Sequence, residues 1–176
     1  MTQRQLFGIL IIEVILLWIA DRRWPPQPKP SAPSITSFTA LPSTITFTSS
    51  DPDVGATGSA VLTVNVGGAA SGHPWTVTVQ ASSSTLTNCA SVPVSAIKAS
   101  CSGVVVSGTG GTLPTGSCSA PFSLSTVATQ LAGGTQGNKN ETYTINVNYP
   151  FTDNWQYPGA SSPACSLTLS YTVAAN

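Results

Sequence analysis

Few side chains in this sequence are equipped for chemistry, and their spacing limits what they can do. His73 is the only histidine; it follows Ser71-Gly72 and precedes Pro74 and Trp75. A Ser-His-Asp relay needs a base oriented by an acid and set beside a nucleophile. No Gly-x-Ser-x-Gly elbow is present to present such a serine. His73 therefore reads as a polar contact at a strand entry. Asp51-Pro52-Asp53 offers carboxylate oxygens to calcium, but calcium gathers roughly six to eight oxygens. No further acid is nearby, so a solvated turn before Gly55 is the simpler reading. Glu141 and Asp153 fall at opposite ends of one extended segment, poorly placed to act as a glycosidase pair. Asn140-Glu141-Thr142 fits the N-glycosylation acceptor pattern, which matters only in a host carrying the transferase. The expectation is a non-enzymatic chain with no cofactor and no metal.

Cys89, Cys101, Cys118 and Cys165 all lie in the C-terminal body. They form no CxxC pair and have no histidine near them, which argues against zinc. An even set in a β-rich body behind an apolar N-terminal segment reads as two disulfides formed in an oxidising space. Of three connectivities, Cys89–Cys101 and Cys118–Cys165 are expected. The first would clip a short excursion, and the second would tie a long loop to the start of the last strand. Closing loops of this size stabilises by roughly 3–4 kcal/mol in the chain-entropy view.

One loop gathers aromatic residues. Phe151, Trp155 and Tyr157 stand in FTDNWQYPG, between two strongly alternating segments. Such a loop can form a carbohydrate or protein contact patch. The alternative is a loop tucked over the edge of the core.

The segment Leu6–Ala20 reads LFGILIIEVILLWIA, apolar except for Glu13. Arg4 precedes it, Asp21-Arg22-Arg23 follow it, and Trp18 and Trp24 sit near its far end, where indoles favour a membrane interface. Pro25 and Pro26 end any helix. A helix from Gln3 to Trp24 would be roughly 33 Å long, enough to cross a bilayer. Signal cleavage after Ala20 would place Trp18 at the −3 position, a poor fit to the small residues a leader peptidase needs. Retention as a single-pass anchor is therefore expected. Arg22 and Arg23 oppose the positive-inside tendency for an exported body, and Asp21 offsets part of that charge. A carboxylate within the bilayer is costly, so Glu13 is protonated, belongs to a signal soon discarded, or is paired with a partner within the membrane.

Gly8-Ile9-Leu10-Ile11-Ile12-Glu13 resembles the processing motif of type IV pilins. The resemblance covers about fifteen residues and implies cleavage after Gly8, with Ile9 as the new N-terminus. It also implies that Glu13 offsets the terminal amine of a neighbouring subunit in a filament. The chain departs from that family in three ways. Leu6-Phe7 stand where a basic residue is usual, the first mature residue would be Ile, and the apolar helix would stop by Trp24.

Residues 25–34 form a proline-rich linker, within WPPQPKPSAPS. Alternate prolines favour extended polyproline II, a semi-rigid spacer of roughly 20–30 Å. Residues 35–176 are long enough to bury a two-layer core. Leu62/Val64/Val66, Trp75/Val77/Val79, Tyr143/Ile145/Val147/Tyr149 and Leu167/Leu169/Tyr171/Val173 alternate with Ser, Thr, Asn and Gln, the signature of half-buried strands. Further strands are expected near Ile35–Phe38, Thr44–Thr48, Val92–Ile97, Gly103–Val106 and Phe122–Ser125. Turns are expected at Gly67-Gly68, Gly110-Gly111 and Gly133-Gly134. No amphipathic helix is seen in the body. About seven to nine antiparallel strands imply an immunoglobulin-like β-sandwich. Trp75 resembles the core tryptophan of immunoglobulin domains, although no cysteine precedes it. The WTVTVQA and SLTLSYTV strands look like those of small exported bacterial surface domains.

Net charge is zero and charged residues make up 7% of the chain. Lys98 and Lys139 are the only basic residues beyond residue 30, so no electrostatic footprint for nucleic acid exists. The expectation is an all-β body on one N-terminal membrane helix (residues 1–24), facing the periplasm or extracellular space. It would serve as a non-catalytic subunit among protein partners. A pilin-like filament subunit and a carbohydrate-binding surface module are the alternatives.

Overall fold

The computed structural model describes residues 34–47, 56–68, 72–108, 114–137, 139–151 and 164–175. Residues 31–176 form one compact unit. Its twelve described strands are β1 (Ser34–Leu41), β2 (Thr44–Phe47), β3 (Ala56–Gly67), β4 (Pro74–Ala81), β5 (Thr85–Leu86), β6 (Cys89–Pro93), β7 (Lys98–Ser107), β8 (Thr115–Cys118), β9 (Phe122–Ser123), β10 (Thr129–Thr135), β11 (Glu141–Phe151) and β12 (Cys165–Ala175). The sole described helical element is a single 3-10 turn at Val94–Ala96. The strands outnumber the seven to nine expected from alternation, because β5, β6 and β8 are two to five residues long and carry little pattern. Among the described residues no helix is long and apolar enough to cross a membrane; the segment 1–24 lies outside them.

One five-stranded sheet runs β1-β3-β11-β7-β9 and a second runs β2-β12-β4-β10-β8, with β5-β6 as a separate hairpin. All pairings are antiparallel. Alternation drives the assembly. In β11, Tyr143, Ile145, Val147 and Tyr149 are buried while the Thr and Asn residues between them are partly exposed. β3 presents Ala60, Leu62, Val64 and Val66 to the same side, and β4 presents Trp75, Val77, Val79 and Ala81 from the facing sheet. These side chains belong to one apolar cluster, the two-layer arrangement of a β-sandwich.

Named contacts cross between the layers. The rings of Trp75 (β4) and Tyr143 (β11) lie 4.4 Å apart, and those of Phe47 (β2) and Phe151 (β11) meet edge-on at 5.9 Å. The hydroxyls of Tyr149 (β11) and Tyr171 (β12) are 2.8 Å apart. β1 and β2 are successive edge strands on opposite sheets, and the chain changes sheets between them at a cis Leu41–Pro42 bond.

Two sequence expectations are corrected. Gly133-Gly134 is not a turn but lies inside β10, paired on one side with β4 and on the other with β8. A Cβ on Gly134 would collide with the backbone carbonyl of Thr115. The glycine pair therefore permits close backbone approach within the sheet. The segment expected as one strand at Val92–Ile97 stops at Pro93 and gives way to the 3-10 turn.

The disulfide connectivity is the larger correction. The bonds are Cys89–Cys165 and Cys101–Cys118, not Cys89–Cys101 and Cys118–Cys165. Cys101 sits on β7 in the first sheet, whereas Cys89 belongs to the β5-β6 hairpin, which lies against the start of β12 in the second. Thr87 and Ser166 exchange backbone hydrogen bonds of 2.9 and 3.1 Å there, and the Asn88 side chain donates to the Ala164 carbonyl at 3.2 Å. Cys89 is thus delivered to Cys165. A register shift in β7 places Cys101 opposite inward-facing Val147, with Ser102 as the extra residue. Cys118 stands opposite buried Ala132. Both sulfurs therefore point between the sheets, and their bond joins them.

Candidate functional site

Besides the Tyr149–Tyr171 hydroxyl pair, the described core contains a polar cluster built where β10 turns into β11. Glu141 opens β11 and is only 3% exposed, because the alternation that buries Tyr143 also turns residue 141 inward. Gln136, just after β10, is fully buried. Glu141 Oε2 accepts the Gly137 backbone N–H at 2.8 Å and the Tyr143 hydroxyl at 2.8 Å. The Tyr143 hydroxyl also lies 3.2 Å from the Thr135 carbonyl. It has one proton, and the shorter contact to the carboxylate takes it. Gln136 Nε2 reaches the Lys139 carbonyl at 3.4 Å.

Gly108 closes over this cluster. Its φ of +124° is a conformation open to glycine, and a Cβ there would come within 3.0 Å of the Glu141 side chain. Burial pushes the Tyr143 phenol well above the ordinary tyrosine range. The adjacent Glu141 pushes it further, against an opposing pull from the Trp75 indole. Trp75 Nε1, Gln136 Oε1 and Glu141 Oε1 are buried with no hydrogen-bond partner among the described residues. Those are one donor and two acceptors in a region otherwise lined by the aromatic pair Trp75–Tyr143. A carboxylate and a phenol in contact are the parts of an acid–base pair. Here each is enclosed and bonded to the other, so neither faces a substrate. The cluster orients the β10–β11 connection; it does not present a reacting group to solvent.

The residues singled out from sequence distribute as follows. His73 is half-buried at the entry to β4, and its carbonyl accepts the Gln136 backbone N–H at 2.8 Å. Phe151 ends β11 and packs on Phe47, so it belongs to the contact between sheets. Trp155 and Tyr157, the rest of the aromatic patch, lie outside the described residues, as do Asp51, Asp53, Asp153, Glu13, Trp18 and Trp24. Asn140 is exposed, and Thr142 of the same sequon donates its hydroxyl to Asn65 Oδ1 on β3. Among the described residues no three His, Cys, Asp or Glu side chains gather into a metal-holding group. The Glu141–Tyr143–Trp75 cluster was not foreseen from sequence. Its signal was present, since Glu141 occupies the inward phase of the Tyr143/Ile145/Val147 alternation.

The outward faces are hydroxyl- and amide-bearing. On the first sheet Ser37, Asn65 and Thr142 form a side-chain row across β1, β3 and β11, with Asn65 Nδ2 donating to Ser37 Oγ at 2.6 Å. On the second, Thr44 and Thr168 lie with their hydroxyls 3.5 Å apart. Among the described residues few large apolar side chains are exposed, and two of them, Leu41 (72% exposed) and Val61 (46%), are cross-strand partners. Comparison with protein-family models, with curated proteins and with solved structures finds no match to this chain.

Proposed function

We propose that this chain is a non-catalytic structural or accessory subunit, held at a cell membrane by its N-terminal segment. Its immunoglobulin-like body would stand in the periplasm or extracellular space. The observation that carries this reading is the pairing of all four cysteines into two disulfides. Such bonds persist in oxidising compartments and are rare in the cytosol of mesophiles. The sparsely charged, Ser/Thr-rich outer faces suit an exported body. The apolar run Leu6–Ala20 supplies the anchor, Trp18 and Trp24 its interfacial belt, and the prolines of residues 25–34 the spacer. Glu13 then serves as the contact to partner helices in a larger assembly.

The spacing of Gly8 and Glu13 favours one second reading, a pilin-like subunit cut after Gly8 and assembled into a filament. A carbohydrate-binding role has no support beyond the aromatic loop at Trp155 and Tyr157.

Fractionation of the native host followed by intact-mass measurement tests the proposal. The expected result is a membrane-bound chain that begins at Met1 and takes up no alkylating reagent before reduction. An N-terminus at Ile9 would favour the pilin reading. A water-soluble chain with four reactive thiols would refute both.

A further inference from the structure

We infer that the polar cluster at the β10–β11 connection binds one internal water molecule, which Trp75, Gln136 and Glu141 hold by three hydrogen bonds. None of these side chains is more than 3% exposed. Each keeps one polar atom without a hydrogen-bond partner among the described residues: the indole Nε1, the amide Oε1 and the carboxylate Oε1. A buried polar atom left unpaired is costly, and native interiors hold few of them. Three in one cluster call for a shared partner.

Each of the three is held in place from its other side. The Gln136 backbone is tied twice: its N–H donates to the His73 carbonyl at 2.8 Å, and its carbonyl accepts from the Gly72 N–H at 2.9 Å. Its Nε2 faces the Lys139 carbonyl. Only the amide nitrogen can donate there, so the amide has one orientation and Oε1 is its free end. On Glu141 both donors, the Gly137 N–H and the Tyr143 hydroxyl, fall on Oε2 and leave Oε1 bare. The Trp75 indole draws the Tyr143 phenol down, although its N–H makes no hydrogen bond with that hydroxyl. The N–H therefore stands at the hydroxyl end of the Tyr143 ring, where Glu141 also sits. Gln136 joins them through its chain neighbour Gly137, whose N–H is 2.8 Å from Glu141 Oε2.

Two acceptors and one donor select the occupant. Water donates twice and accepts, and internal waters make about three hydrogen bonds. A metal cation would suit the two oxygens but would also face the positive end of the indole N–H. Calcium further gathers about six to eight oxygens, and no three His, Cys, Asp or Glu side chains come together among the described residues. An anion would meet the carboxylate. Anything larger is disfavoured on the Gly108 side, where even a Cβ would come within 3.0 Å of the Glu141 side chain. The water completes the shell of a buried carboxylate and ties β4, the connection after β10 and β11 at one point. Its binding is independent of where the chain resides and of what it assembles with.

The test uses the full-length chain in detergent, disulfides intact, with its tryptophan indoles labelled with heavy nitrogen for NMR. The chain has four tryptophans, and Trp75→Phe identifies the Trp75 indole signal by its loss. A cross-peak between that indole proton and water is expected, with the sign of a long-lived contact. It is expected to survive Tyr143→Phe, which rules out relay through the phenol proton. Gln136→Met keeps the side-chain length and loses the oxygen. It is expected to abolish the cross-peak while the other three indole signals stay in place. Absence of the cross-peak in the parent overturns the inference, and that result needs no variant to fold. Loss of the cross-peak in Tyr143→Phe, or its persistence in Gln136→Met, overturns it as well. So does an indole signal that shifts when sodium is exchanged for potassium, or when calcium is added, at fixed ionic strength, which would make the occupant a cation.

Discussion

Cys101 on β7 and Cys118 on β8 are bonded across the gap between the two sheets, with their Cα atoms 5.3 Å apart. Both are partly exposed, whereas Cys89 and Cys165 are buried at 8% and 6%. Access governs how fast a thiolate or phosphine attacks a disulfide. Mild reduction, alkylation and peptide mapping should therefore label Cys101 and Cys118 first. The entropic ranking runs the other way. The Cys101–Cys118 bond spans 17 residues of sequence and the Cys89–Cys165 bond 76. Their removal as Cys→Ser pairs is expected to cost about 3 and about 4.5 kcal/mol respectively. Equal labelling rates would contradict the exposure argument, and a reversed order of cost would contradict the loop argument.

Gly134 tests the packing inside β10. Its missing Cβ would strike the Thr115 carbonyl, a backbone atom that cannot rotate away. Gly134→Ala must separate β10 from β8 or distort it, at an expected cost of about 1–3 kcal/mol, the range for overpacking. Gly103 on β7 has open space where a Cβ would stand. Gly103→Ala is expected to leave the unfolding free energy within about 0.5 kcal/mol of the parent, with little change in midpoint. Similar midpoints for the two variants would show that the β8–β10 approach is looser than described.

Alternation made the long strands legible, because β3, β4, β11 and β12 each bury one face and a period of two records that directly. Short strands such as β5 and β8 could not be read, since two to four residues hold almost no period. The cysteine pairing failed for a different reason. Sequence distance favoured Cys89–Cys101, but strand order places those residues with opposite sheets, and the extra residue Ser102 decides which way Cys101 points. Neither strand order nor a bulge is written in local pattern. Glu141 stands at a strand end, as its spacing from Asp153 implies, and opens β11; its burial follows from the phase of that strand and is made tolerable by the Gly137 N–H and the Tyr143 hydroxyl.

Those two donors give a prediction of their own. Tyr143→Phe keeps the ring against Trp75 but removes the hydroxyl that Glu141 Oε2 accepts. Loss of one donor to a buried carboxylate is expected to cost about 1–3 kcal/mol in urea unfolding. Glu141→Gln retains a carbonyl oxygen that can accept the Gly137 N–H. Glu141→Leu retains none and should be the less stable of the two. If Gln and Leu at this position unfold at one denaturant concentration, the cluster has no orienting role.

The Tyr149–Tyr171 pair sets the response to alkali. Burial raises both phenols above their ordinary value of 10.0; the neighbouring Tyr171 raises Tyr149 further, while the hydrogen bond shared with Tyr149 pulls Tyr171 back. Below about pH 10 the phenols are neutral folded and unfolded, so their contribution to stability is fully present. As pH rises past that point, these phenols release protons in the unfolded chain that they retain in the folded one. At these sites the unfolded state then binds fewer protons, and stability falls. For Tyr149, fully buried, the slope reaches up to about 1.4 kcal/mol per pH unit. Tyr149→Phe removes that group from the titration, leaving the raised Tyr143 and Tyr171 to contribute. Thermal unfolding from pH 8 to pH 11.5 should therefore show the parent losing stability above pH 10 more steeply than Tyr149→Phe, even though the variant starts lower for want of the hydroxyl pair. Parallel profiles would mean that Tyr149 ionises in the folded chain as readily as in the unfolded one, and that the two hydroxyls are open to water between the sheets.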